Sequence, residues 1–189
     1  MSSSEERSAR SGLYRLLARL WLREIDGPFL ERLGSGSLGG AFAEAGGVLP
    51  TLVTGEQVEA LEVEFCRLFL GPSKHFPPYQ SVWQAGQLEG EACRSVRDFA
   101  AVVHYDIDAA APGVMVDHLA VQLGLMGHVL GTDMGGPAEV VDEWEALFFA
   151  SHLQWPEPLL VGVMERVESE FYASMISLTR AFLQSESPS

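Results

Sequence analysis

Leu13, Leu16, Leu17 and Leu20 recur at i, i+3, i+4 and i+7, which places them on one stripe of a helix whose arginines face water. The spacing predicts a first helix over residues 4–25. Gly27-Pro28 ends it, and a short helical turn carrying Phe29, Leu30 and Leu33 follows. Six glycines between positions 34 and 47 predict a flexible loop with one weak helical turn. Thr54 with Gln57 forms a capping-box signature, so a helix starts near Gly55. At 100° per residue Val58, Leu61, Phe65, Leu68 and Phe69 share its inward arc, and Gly71-Pro72 stops it.

Residues 71–83, GPSKHFPPYQSVW, hold three prolines and predict a stiff, largely extended segment studded with Phe76, Tyr79 and Trp83. Ala92, Val96, Phe99 and Val103 predict a helix over 91–104, with a connection over 106–113. Asp117 is placed to cap a helix with Leu119, Leu123, Met126 and Leu130 inward and Gly131 as its stop. Gly124 and Gly127 on that helix would let another helix approach closely. Pro137 opens a helix with Val140, Val141, Trp144, Leu147 and Phe148 inward, interrupted at 152–156. A last helix runs from Leu160 through Val163, Met164, Val167, Phe171, Met175 and Leu178 to Phe182, with a frayed tail from Ser185. No alternating run competes with these patterns, so the expected fold is an all-α, single-domain helical bundle over residues 1–189.

Charge narrows the partners. The net charge is −14, and residues 1–35 carry 6 basic and 5 acidic side chains, leaving 6 basic against 21 acidic beyond them. Such a body repels phosphate backbones and anionic lipid and attracts a basic partner, so nucleic acid is not expected. Cys66 and Cys93 stand far apart and outside any CxxC pair, which excludes a disulfide framework and fits a reducing compartment. The longest apolar stretches, 159–164 and 146–150, fall far short of the ~20 residues that span a bilayer. Arginines interleaved with acids near the start do not form a secretory signal. The expected location is the cytoplasm, without stable membrane insertion.

The candidate chemistry is sparse. Asp117 and His118 point about 100° apart on a helix, so the plain reading is a cap plus a satisfied histidine, and the other is a polar contact for a ligand. None of the five histidines has the i, i+3 or i+4 partner that metal ligation on one helix uses, and no metal or cofactor is expected. A hydrolase acting through His118 is a third reading, but no GxSxG elbow, GxGxxG turn or Walker loop accompanies it. The Phe65, Leu68, Phe69 face reads either as core or as one wall of a groove continued by the proline-aromatic segment. Tyr79 and Trp83 read equally as buried plugs or as part of that wall.

Phe65-Cys66-Arg67-Leu68-Phe69 before Gly71-Pro72, then Pro77-Pro78-Tyr79-Gln80-Ser81-Val82-Trp83, Asp117-His118-Leu119, His152-Leu153 and a final helix with Phe171-Tyr172 occur here in a fixed order. This order resembles the TorD/DmsD/NarJ family of redox-enzyme maturation chaperones, over roughly residues 13–183. The resemblance implies an all-helical, non-enzymatic, cytoplasmic protein. It would bind the twin-arginine signal peptide, the apo form, or both, of a molybdenum-cofactor oxidoreductase catalytic subunit until cofactor insertion and folding are complete. An alternative within the family is a helical adaptor for a leaderless subunit, as in NarJ-like assembly factors. Carried over residue by residue, the signal-peptide-binding candidates are Phe65, Leu68, Phe69, Pro78, Tyr79, Trp83, Asp117 and His118. Val114 and Met115 stand where the family's string has Glu and Pro, removing one anionic contact. Some relatives exchange helices through a hinge near this motif, where Pro112-Gly113 sits, which leaves monomer and domain-swapped homodimer both open.

Overall fold

A computed structural model describes residues 3–50, 53–132 and 138–187. Helices make up its regular structure, and the strand-like feature among the described residues is a single antiparallel bridge between Tyr79 and His118. The chain groups into two compact units. One holds residues 1–22, 78–156 and 186–189, the other 23–77 and 157–185.

The first unit contains α1 (Ser3–Leu22), α5 (Gln80–Ala85), α6 (Glu91–Val102), α7 (Ile107–Ala110), α8 (Leu119–Gly131) and α9 (Ala138–His152). From Leu119 to Gly127 every residue of α8 is buried, so it is a central helix rather than an amphipathic one. Helix α1 lies against it where Gly127 and Gly131 provide room: Ser11 Oγ donates to the Gly127 carbonyl at 2.7 Å, and a Cβ at Gly127 would sit 3.2 Å from that of Tyr14. The expected close helix approach is therefore found at Gly127. Arg7 pairs with Asp142, and Arg10 with Glu145 and Glu186, so much of the basic charge of α1 is spent on acids of its own unit.

The second unit contains α2 (Gly27–Ser35), α3 (Ser37–Glu44), α4 (Gly55–Phe65) running into a wide π turn (Cys66–Leu70), α10 (Glu157–Met164) and α11 (Glu170–Glu186, to Ser185 in this unit). Its core is aromatic. Phe65 meets Phe69 edge to face at 4.9 Å between ring centres, and Tyr172 at 6.1 Å, while Phe42 meets Phe171 at 6.0 Å. Beyond the π turn the chain doubles back, and the Phe76 N–H donates to the Leu68 carbonyl at 2.7 Å.

Several expectations are corrected. The first helix ends at Leu22, because Asp26 caps a new one: its carboxylate accepts the Phe29 N–H at 2.7 Å, with Pro28 in the first turn. The glycine-rich stretch contains helix α3. Gly39 is there for close approach, since a Cβ at that position would lie 1.5 Å from the Leu33 carbonyl oxygen, and Phe42, fully buried, anchors the helix. Residues 80–85 are helical rather than extended, and one helical turn, α7, sits in the 106–113 connection. The helix after Asp117 is capped by His118 instead, whose Nδ1 accepts the Ala120 N–H at 3.0 Å. Leu147 is exposed, because α9 turns Val141, Phe148 and Phe149 inward. The last predicted helix is two, broken between Met164 and Glu170, and Met164 is exposed. At the break Glu64, buried on α4, accepts the N–H groups of Glu168 (2.6 Å) and Ser169 (3.1 Å), the two residues just before α11. Helix α11 continues to Glu186, past the expected fraying point. Pro137, expected to open a helix, lies outside the described residues, as do the last two residues of the tail.

Candidate functional site

In the first unit, residues 78–80 run antiparallel to 117–119. The Leu119 N–H donates to the Pro78 carbonyl at 2.8 Å and the Gln80 N–H to the Asp117 carbonyl at 3.1 Å. The Tyr79 ring stands edge-on to the His118 imidazole at 5.0 Å. Proline makes this economical: Pro78 has no N–H to satisfy, and its carbonyl is the group that pairs. The Asp117 side chain is fully buried, and its Oδ2 accepts the Ser81 N–H at 2.9 Å, tying the start of α5 to the residue before α8. Oδ1 accepts no N–H or O–H among the described residues. Burial, chiefly, and this carboxylate raise the Tyr79 phenol above its usual value; burial raises the neighbouring Cys93 thiol.

Behind this bridge lies a buried polar network whose orientation is fixed by two unambiguous ends. Trp155 can only donate, and its Nε1–H goes to Gln122 Oε1 at 2.8 Å, so the Gln122 amide nitrogen points to Gln80 Oε1 at 2.6 Å. The Ser151 carbonyl can only accept, and it takes Gln80 Nε2 at 2.8 Å. Gln80 Oε1 is thus an acceptor, which puts the proton of His152 on Nδ1, 2.8 Å away, and leaves His152 Nε2 to accept from the Ser95 hydroxyl at 2.9 Å.

Both histidines are held neutral. Burial lowers His118 and His152 to about 4, with the Asp117 charge opposing in each case. The consequence for stability has a definite sign. Above the unfolded value near 6.5 neither state binds the proton and nothing is lost. As pH falls from 6.5 toward 4 the unfolded chain takes up protons that the folded chain refuses, and stability drops by up to ~1.4 kcal/mol per pH unit per histidine. Urea unfolding at pH 7.5, 6 and 4.5 should show this decline. His118→Asn, which keeps an acceptor for the Ala120 N–H, should flatten it by about 3 kcal/mol over the whole range. An unchanged slope in the variant would remove His118 from the account.

Of the expected site residues, the structure brings together Pro78, Tyr79, Asp117 and His118. Trp83 lies half-buried on α5 of the same unit. Phe65, Leu68 and Phe69 belong to the other unit, where each is at most 2% exposed; they are core there, and no open apolar wall is formed by their side chains. The aromatic contacts of Phe65 with Phe69 and Tyr172 are the reason, since they use the faces a guest would need. Gln80, Gln122, Ser95 and Trp155 were not anticipated. Gln122 left a signal: one long polar side chain inside the apolar run of α8 must find a buried partner. His118 has little room to act as a general base, being 4% exposed with Nδ1 occupied by a backbone N–H. Among the described residues no three His, Cys, Asp or Glu side chains come together to hold a metal, and no helix is long and apolar enough to cross a membrane.

Residues 37–160 match the family described as nitrate reductase delta subunit. Chaperone protein TorD of Shewanella sp. strain ANA-3 is 26% identical over 209 residues, covering 98% of this chain and 96% of that protein. The protein of the same name from Shewanella sp. strain MR-4 is likewise 26% identical with the same coverage, and that of Shewanella oneidensis is 24% identical, over 98% and 92%. No solved structure matches the chain significantly.

Proposed function

The chain belongs to the nitrate reductase delta subunit family of redox-enzyme maturation chaperones, and from that premise we propose that it binds the twin-arginine signal peptide of a molybdenum-cofactor oxidoreductase subunit in the cytoplasm. It is a molybdoenzyme maturation chaperone and not an enzyme. The observation that carries the reading is the span of the family match: residues 37–160 take in the Phe65 segment, the Pro78–Tyr79 bridge and the Asp117–His118 turn together. Charge supports the leader as guest. A twin-arginine leader joins a cationic start to an apolar stretch, and the chain offers −14 overall. Exposed apolar side chains stand in each unit, Leu70 and Val63 in one, Leu88 and Leu147 in the other.

The test is calorimetric titration of the purified chain with synthetic twin-arginine leaders of molybdenum-cofactor oxidoreductases. Raising salt from 50 to 500 mM should weaken binding by about tenfold, and replacing both leader arginines by alanine should cost about tenfold again. The family description as a delta subunit favours a second reading, in which a leaderless subunit is the client. Capture of leaderless client without leader binding would select that reading, and failure to bind either would overturn the chaperone assignment's partner.

A further inference from the structure

We propose that the first unit holds a second binding site, a pocket between α1 and α8 for a small ring-bearing organic anion that carries a phosphate or carboxylate. The pocket is about 450 Å³, within the usual range for small-molecule sites and too small for a leader. Arg15 and Arg19, one turn apart on α1, line one side, and Gly124 and His128, one turn apart on α8, line the other. Tyr105 and small side chains such as Ala120 complete the lining.

Charge points to an anion. In a chain of −14, the formally charged side chains lining this pocket, among the described residues, are the two arginines. Arg7 and Arg10 on the same helix are matched to carboxylates, whereas Arg15 donates from Nε to the Gly127 carbonyl at 3.3 Å. That bond fixes the guanidinium beside the pocket without neutralising it.

The aromatic wall is a built feature. His104 holds a left-handed backbone, φ +54°, which turns the chain sharply and returns Tyr105 to α8. The Tyr105 N–H donates to the Ala100 carbonyl at 2.9 Å, and His128 Nε2–H donates to the Val103 carbonyl at 2.9 Å, clamping the turn from both sides. Gly124 admits the phenol, since a Cβ there would lie 2.6 Å from its oxygen. Burial raises the Tyr105 phenol, so it stays protonated as a donor beside the arginines. The Tyr105 ring, tilted 51° against His128 at 5.3 Å, gives the wall its aromatic character, and Arg15 offers an anionic group charge-assisted hydrogen bonds.

Titration of the full chain with 1-naphthyl phosphate, 1-naphthoate, neutral 1-naphthol and inorganic phosphate separates the parts. Both naphthyl anions should bind, with naphthol and inorganic phosphate at least about tenfold weaker. Arg15→Gln should weaken the anions by about fivefold or more, as should Gly124→Ala by displacing Tyr105, while Arg32→Gln on α2 leaves them unchanged. Circular dichroism and thermal melts establish that each variant is folded. Equal binding of naphthol, indifference of the folded Arg15 variant, or no binding of either anion at millimolar concentration would overturn the proposal. A preference for one naphthyl anion over the other identifies the anionic group.

Discussion

Gln80→Leu should lower stability by roughly 3–5 kcal/mol, and the melting temperature by about 10 °C or more. The side chains are similar in volume, so the loss comes from hydrogen bonds rather than from a hole. Gln80 Oε1 accepts from Gln122 and His152, and its Nε2 donates to the Ser151 carbonyl and to Gln84. Gln84 is exposed and water can replace its partner, but Gln122 and His152 are buried and would each keep a donor with no acceptor. An orphaned buried donor costs about 1–3 kcal/mol, far more than the net worth of the bond it lost. The same asymmetry predicts partial rescue: Gln80→Leu with His152→Phe removes donor and acceptor together, so the double variant should lose clearly less than the sum of the two single ones. Urea unfolding of the four proteins measures the coupling. A single-variant loss below about 1 kcal/mol would mean that the network is satisfied in some other way.

That network explains why the site was only partly legible in the sequence. Local devices could be read. The Thr54–Gln57 capping box is present in both directions, because both partners lie within one turn of chain. The heptad-like leucines of α1 are buried as expected at Leu16, Leu17 and Leu20. What escaped was every choice settled by a distant partner. Asp117 has the composition of a helix cap, and a cap it would be if the Ser81 N–H were not waiting 36 residues back in the chain. His118 then takes the capping role with a ring nitrogen, which no propensity scale favours. Glu64 looks like one more solvated glutamate on α4, yet it is buried where Glu168 and Ser169, more than 100 residues away and just before α11, supply its hydrogen bonds. Glycines misled in the same manner: at Gly39 the missing side chain serves a contact with the Leu33 carbonyl, not looseness.

Phe65→Ala should cost about 3–5 kcal/mol of stability, whereas Leu70→Ala, five residues on, should change stability by less than about 0.5 kcal/mol. Phe65 is 2% exposed and packed against Phe69 and Tyr172, so truncation removes apolar contact on all sides and leaves a cavity that the aromatic neighbours can only partly fill. Leu70 ends the π turn with 56% of its surface in water and has little to lose on truncation. The pair therefore separates two roles that the motif confounds. If Phe65 were a wall for the leader, its truncation would weaken leader binding while the melting temperature stayed put. The structure predicts the reverse order, with melting falling first and leader affinity, measured well below the variant's midpoint, changing little. Phe65→Leu, which keeps most of the volume, should recover much of the stability. Melting of Phe65→Ala at the wild-type temperature would show that this side chain leaves the core in solution, and would return the Phe65, Leu68, Phe69 face to the list of leader contacts.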